Sequence, residues 1–520
     1  MSLKQFPYIL LLTFLISCTG SEQSGTYDLL ISNARIIDGS GAEAFEGSII
    51  LDDGIIEEVG AIDTVGREFS RIIDAEGRVV SPGFIDVHSH GNPLETPRFD
   101  NFLSMGVTTI ALGQDGSSPG TGDVSAWMDE VDSTGTGPNI MHFIGHNSIR
   151  RYLNIPRESG LDSTTLSDMQ AVISDALSSG SFGLTTGLEY DHGSFSDLEE
   201  LIAVAKPVAD ADAIVMSHMR NEDEDAIAQS MAELINQGLA SGAAVHASHL
   251  KIVYGDDPAQ AEDILSMMQD ARVNEDLQVT ADIYPYTASY TGIGIVFPDW
   301  ALPPNNYEEV VENRRAELEE YLNYRIALRN GPEATLFGTA PYAGMTLEEV
   351  ADSLGKPFAD VLIDDIGPSG ASAAYFVMDA EVMARFLISP HIMVSSDGSP
   401  TMRHPRGYGS FARIIRDFVN EQQLLSLEQA VHKMSGLSAA TVGLSDREQV
   451  NTPRGLIRAG FAADLLIFDP ENIRDEANFE NPHLYASGFD WVMVNGVPVI
   501  EAGKRNEERP AGVIRRKAEI

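Results

Sequence analysis

Between residues 83 and 445, short apolar runs of strand character alternate with stretches of helical period, which constrains the fold more than any other feature. The strand runs include residues 84–87, 108–112, 141–144, 183–186, 213–217, 244–248, 278–284 and 391–395. Helical patterns such as 196–209 and 223–237 lie between several of them. Repeated strand–helix units of this length predict parallel strands wrapped by helices. The expected fold class is therefore α/β, a (β/α)8 TIM-like barrel over residues 83–445, with its chemistry at the C-terminal ends of the strands. An excursion over about residues 296–345, with a charged helix near 307–329, reads as a loop insertion at the barrel mouth, either a lid or a decoration.

The segments flanking the barrel have a different period. Residues 26–80 carry short alternating runs, with Asp53-Gly54 as a hairpin signal, and residues 462–468 and 490–500 read the same way. They are expected to pair into one small β-sandwich built from residues 26–82 and 446–510.

Charge and cysteine usage bound the partners. The 520-residue chain has 34 Lys and Arg against 78 Asp and Glu, a net charge of −44. Such a surface repels polyanions, so no nucleic-acid partner is expected. Near the N-terminus, Lys4 precedes an apolar run at 8–16 that is too short to span a bilayer comfortably. Leu15-Ile16-Ser17-Cys18 then resembles a bacterial lipobox. The expectation is a lipoprotein-type signal peptide at 1–17, a lipid anchor on Cys18 and a linker over 18–25. A periplasmic or cell-envelope location follows, at the outer membrane because residue 19 is not Asp. A plain cleaved signal peptide is the alternative. Cys18 is the only cysteine, which excludes a disulfide and any thiolate ligand in the body of the protein.

Metal-binding side chains recur where the strand runs end. In Pro82-Gly83-Phe84-Ile85-Asp86-Val87-His88-Ser89-His90, alternation puts Asp86, His88 and His90 on one face, and two imidazoles so spaced can grip one cation. His218, His249 and Asp397 follow later runs. Five such residues from four strands, all at one rim, point to a metal-dependent centre.

The motifs also carry a resemblance. With Ser217-His218-Met219-Arg220, Ser248-His249-Leu250-Lys251, Asp282-Ile283-Tyr284-Pro285-Tyr286, Ser396-Asp397-Gly398 and His404-Pro405-Arg406, the chain resembles the amidohydrolase superfamily. More narrowly it resembles the D-aminoacylase (N-acyl-D-amino-acid deacylase) family. That likeness implies zinc as cofactor, as one or two divalent ions, with His88, His90, Asp115, His218, His249 and Asp397 as ligands. It implies Asp397 as general base and acid, and a small-molecule substrate with a free carboxylate held by Tyr190, Lys251, Tyr284 and Arg406. One departure stands out. Where the family has a cysteine ligand in Gly-Asn-Cys-Gly, this chain reads Gly113-Gln114-Asp115-Gly116. A carboxylate can bridge two ions as a thiolate does, but shifts preference toward harder metals such as manganese or cobalt. Asp115 also reads as a turn residue, and Glu189 is a competing carboxylate. The superfamily's alternative bridge, a carboxylated lysine, has no well-placed residue at the strand before His218, which counts against a hydantoinase. His146 is a weaker contact candidate, while His142, His192, His246, His391, His432 and His483 read as structural or exposed. The expected activity is hydrolysis of N-acyl-D-amino acids or D-residue-containing peptides. The alternatives are another bond on the same centre (a lactone, cyclic amide or dipeptide) or a non-catalytic ligand-binding lipoprotein.

Overall fold

A computed structural model describes residues 26–517, so the leader and Cys18 lie outside the described residues. Its centre is a ring of parallel strands: β1 (Phe84–Asp86), β2 (Val107–Leu112), β3 (Asn139–His142 and, past Phe143, Ile144–Gly145), β4 (Gly183–Gly187), β5 (Ile214–His218), β6 (Ala244–Ala247), β7 (Val279–Ile283) and β8 (Ile392–Val394). The first half of β3 pairs with β2 and the second half with β4, joining two sheets into one wall. The ring closes between β8 and β1, where Asp397 N–H donates to the His88 carbonyl at 2.9 Å and His90 N–H to the Gly398 carbonyl at 2.8 Å. Residues of the metal motif therefore make the closing seam.

Strands covered on both faces read as continuous apolar runs, and β2, Val-Thr-Thr-Ile-Ala-Leu, is buried along its whole length. Ile85, Val87, Ala111, Met141, Met216 and Met393 form one cluster, and side chains from such separated strands meet only across the barrel lumen. Helices such as Ser163–Ser178 and Leu198–Asp210 cover the outside, each started by an Asp that accepts a first-turn N–H (Asp162 from Thr165, Asp197 from Glu200).

Nine strands from both chain ends form a second sheet. Val79–Pro82 runs antiparallel to Leu465–Phe468, with Val80 opposite Ile467, and so ties the N-terminal strands to the C-terminal ones. The sheet curls over a core of Leu29, Ile31, Ile49, Leu51, Ile467 and Met493. Asp53 and Gly54 both have positive φ, 50° and 73°, in a tight turn between Phe45–Asp52 and Ile55–Gly60. Because Val79–Pro82 leads directly into β1, this sheet fixes where the first metal motif enters the barrel.

The excursion between β7 and β8 is wider than residues 296–345. It holds an antiparallel sheet of Ala288–Gly292, Ser372–Phe376 and Thr335–Phe337, the helix Tyr307–Leu328, and a hydrophobic core of its own. Ala288 pairs with Phe376 across 88 residues, a contact with no local sequence signature. Among the described residues no helix is long and apolar enough to cross a membrane.

Candidate metal centre

Parallel strands put every C-terminal end on one rim. His88 and His90 follow β1, Asp115 follows β2, Glu189 and Tyr190 follow β4, and His218 ends β5. His249 and Lys251 follow β6, Tyr284 follows β7, and Asp397 follows β8. Gly113 makes the turn after β2 possible. Its φ is 96°, and a Cβ there would lie 2.1 Å from the Phe143 carbonyl oxygen. Asp115, His249 and Asp397 themselves sit at φ 53°, 38° and 46°, a costly region for non-glycine residues that clusters at functional sites.

The side chains converge in three groups, the first two sharing Asp115 and the last two sharing His218. His88, His90, Asp115 and Asp397 offer ligand atoms all within 4.8 Å of one another, and so do Asp115, His218 and His249. Asp115 Oδ1 lies 3.2 Å from His88 Nε2 and 3.2 Å from His249 Nε2, while Oδ2 lies 3.4 Å from His90 Nε2. Asp397 Oδ1 is 3.2 Å from His90 Nε2. His218 Nδ1 and His249 Nε2 face each other at 2.8 Å. Glu189 belongs to the third group, with His218 and Glu222, and takes the other side of His218, 3.1 Å from Nε2. That hydrogen bond leaves His218 Nδ1 for the cluster, as a carboxylate on the far nitrogen commonly does for a metal-bound imidazole.

The donor set fits a divalent cation. His88 is fully buried, and neither of its ring nitrogens makes a hydrogen bond, an orphaning that a bound ion would resolve. Burial opposes charge on His88, His90, Asp115 and His249, yet the opposite charges prevail. Despite burial, Asp115 raises His88 well above its ordinary value, and His88 and His249 hold Asp115 well below the usual carboxylate range. His249 is lowered by burial and by Lys251, but Glu222 and Asp115 carry it up to about 9. Imidazoles held protonated beside carboxylates in this way exchange protons for a metal ion readily.

All ten assigned residues converge here, with two surprises. Lys251 Nζ contacts both oxygens of Glu222 at 2.6 Å and also His249 Nδ1 at 2.8 Å, so the expected clamp is already engaged. Arg406 Nη1 lies 2.9 Å from Asp397 Oδ2, and its guanidinium sits 4.6 Å over the Tyr284 ring. Tyr190 packs on the His218 ring at 4.4 Å. Lys251 is the only lysine lining this cavity among the described residues.

Of the predicted common face of Asp86, His88 and His90, the two histidines reach one ligand group and Asp86 does not. β1 ends at Asp86, so the two-residue alternation stops before the histidines. Asp86 instead accepts from Ser396 N–H at 3.1 Å and Ser396 Oγ at 2.5 Å, bracing β1 against β8, and burial pushes its carboxyl up to about 7. Two other acids escaped assignment. Asp282 accepts from His246 Nε2 at 2.7 Å and from the His249 N–H at 3.0 Å, fixing the loop that carries His249. Glu222 stands four residues after His218, and that spacing past a strand end was its only signal. His146 turns away to Glu200, 2.7 Å distant.

Comparison with known proteins agrees with this geometry. Residues 359–500 match the model of the amidohydrolase family. The N-acyl-D-aspartate deacylase of Alcaligenes xylosoxydans xylosoxydans is 31% identical over 94% of this chain and 95% of its own. The D-aminoacylase of the same organism is 29% identical over 92% and 95%. The structure of N-acyl-D-glutamate deacylase from Bordetella bronchiseptica, in complex with zinc and a phosphonate mimic of the tetrahedral intermediate, superimposes with a TM-score of 0.80. It is 28% identical over 94% of this chain and all of that one. A full-length relative above 30% identity, the barrel and the paired ligand groups all point one way: the chain belongs to the D-aminoacylase, or N-acyl-D-amino-acid deacylase, family of amidohydrolases.

Proposed function

We propose that this protein hydrolyses the amide bond of N-acyl-D-amino acids, or of peptides with a D-residue on the amine side, using a zinc-type centre at the barrel rim. The observation that carries the reading is the pair of ligand groups joined at Asp115, with the orphaned His88 nitrogens between buried carboxylates. His88, His90, Asp115 and Asp397 would hold one ion, and Asp115, His218 and His249 a second. A divalent ion so held supplies Lewis acidity toward the scissile carbonyl and toward water.

The chain's own residues do the rest. Asp397 is buried, which opposes its charge, but Arg406 holds its carboxyl well below the ordinary range, so it is ionised at neutral pH. It accepts the proton of the attacking water and returns it to the leaving amine. Arg406 and Tyr284 receive the substrate carboxylate, Arg406 through the planar fork suited to that group. As the substrate carboxylate competes for Arg406, Asp397 is released toward the water. Lys251 contributes charge through its pair with Glu222, and Tyr190 covers His218.

The test combines metal analysis with turnover of matched N-acetyl-D- and N-acetyl-L-amino acids. Bound metal with hydrolysis of the D-series alone, lost by about 100-fold or more in Asp397→Asn, is the expected outcome. Protein that takes up no metal on reconstitution, or hydrolyses only the L-series, overturns it. Leu15-Ile16-Ser17-Cys18 supports a further part of the proposal, a lipid anchor on Cys18 and a cell-envelope location. Labelling with a fatty-acid analogue, lost in Cys18→Ala, tests that part.

A further inference from the structure

The substrate cavity divides into two compartments on either side of Asp397. One is lined by Tyr284, Lys251, His218 and His249, the other by His90, Asp115, Ser117, Asn147 and Arg151. Because Arg406 and Tyr284 take the α-carboxylate, the amino-acid part of the substrate lies in the first compartment. Its acyl part then extends past the metal groups into the second. That second compartment has a volume of about 340 Å³, the size of a site for a drug-sized ligand and far more room than an acetyl group fills.

All but one of its charged side chains are committed. His90, Asp115 and Asp397 belong to the first ligand group, and Arg406 pairs with Asp397 at 2.9 Å. Asp191 accepts from Arg157 Nε at 2.7 Å and Nη2 at 2.8 Å. Arg151 has no carboxylate within ion-pair distance among the described residues. Its Nη2 donates to Ser148 Oγ at 2.9 Å and to Ser117 Oγ at 3.3 Å. These hydroxyls hold the side chain at the edge of the compartment and leave Nε and Nη1 without a hydrogen bond among the described residues. Ser117 stands two residues past Asp115, so their Cα atoms are at most about 7 Å apart. The guanidinium is thus within reach of a group carried a few carbons beyond the scissile carbonyl.

The charge around Arg151 has the same sign. His192 is held below its ordinary value first by burial and then, against Asp191, by the guanidiniums of Arg157, Arg151 and Arg150. In a chain of net charge −44, a cationic wall on the acyl side of the cavity matches an anionic acyl group. Arg presents a planar fork suited to a carboxylate.

We propose that the protein accepts N-acyl-D-amino acids whose acyl group itself ends in a carboxylate, the half-amides of a dicarboxylic acid, with Arg151 receiving that distal group. This rests on the deacylase reading above and names the acyl class of its substrate.

Zinc-loaded protein is assayed with N-succinyl- and N-glutaryl-D-amino acids against their near-isosteric neutral amides, the N-succinamoyl and N-glutaramoyl compounds. The N-acetyl compound of the same D-amino acid is the reference. At least one acid is expected to exceed its amide in kcat/KM by on the order of 10-fold, the worth of one charge-assisted contact. Raising the salt concentration should shrink that excess. Arg151→Met is expected to bring the ratio of acid to amide close to unity and to leave turnover of the N-acetyl compound unchanged, and Arg151→Lys to recover part of the ratio. A ratio that survives in Arg151→Met overturns the proposal, and a structural role that lowers acid, amide and acetyl compound alike is such a case. So does a wild-type enzyme that treats acid and amide equally or prefers the amide, a comparison that depends on no variant. Hydrolysis of the N-acetyl compound but of neither longer acyl series overturns this inference and leaves the deacylase reading intact. Hydrolysis of no N-acyl-D-amino acid overturns both.

Discussion

The Lys251–Glu222 pair allows a sharp test of the electrostatics under the metal centre. Both groups are almost fully buried, and two 2.6 Å contacts join them. Burial pushes the Glu222 carboxyl up, yet Lys251 first and then His249 bring it from its ordinary 4.5 down to about 2. A displacement of that size corresponds to about 3 kcal/mol of folding stability at neutral pH. Lys251→Met keeps the length of the side chain and deletes its charge, leaving Glu222 buried with only imidazoles opposite. Removing one partner of a buried pair costs about 3–5 kcal/mol, which agrees with the first figure. Urea unfolding at pH 7, with zinc fixed at one concentration, is expected to show a loss of about 3 kcal/mol in Lys251→Met. Most of it should return in the double variant with Glu222→Gln, because the stranded charge is then gone. A single-variant loss below about 1 kcal/mol, or an equal cost of Lys251→Met with Gln at 222, would refute the reasoning.

Asp115 belongs to two of the ligand groups, so Asp115→Ala is expected to lose most of the bound metal. Asp115→Cys should retain metal and shift its relative affinity from manganese toward zinc, both read by elemental analysis after equilibration with mixed ions. Glu222 also sets an acid limit. Its folded-state value lies below its unfolded one, so its stabilisation is complete above about pH 4.5 and is lost as pH falls toward 2. Acid unfolding of Glu222→Gln should therefore be flatter than wild type across that window, and parallel curves would count against the assignment.

Much of this was legible because a parallel barrel is buried on both faces. Its strands appear as unbroken apolar runs, and the residue just past each run falls on the functional rim. His218 and His249 were found that way, one ending β5 and the other two residues past β6. What stayed hidden needed long-range information. Lys251 and Glu222 stand 29 residues apart on loops after different strands, and only their side-by-side placement in the barrel makes them partners. The excursion is wider than its sequence signal because its bounding strands pair with each other and carry no local marker. Asp86 was grouped with the histidines because a strand period was extended past the strand's end, where Ser396 captures it instead.

The charge distribution explains why so few cations decide recognition. At a net charge of −44 the protein repels an acidic substrate at long range, but ionic screening confines that field to roughly 8–10 Å at physiological salt. Attraction has to act at contact distance, from cations whose charge is not shared out over the surface. Arg406, Lys251 and Arg329 are 2%, 8% and 2% exposed, and all three face the cavity that Asp397 lines. Two of them, Lys251 and Arg406, are held in readiness by acids that a substrate carboxylate can replace or reinforce. The insertion has its place in the same cavity: the barrel rim supplies the metal groups, and the added segment supplies part of the wall through Tyr290, Thr291 and Ile295.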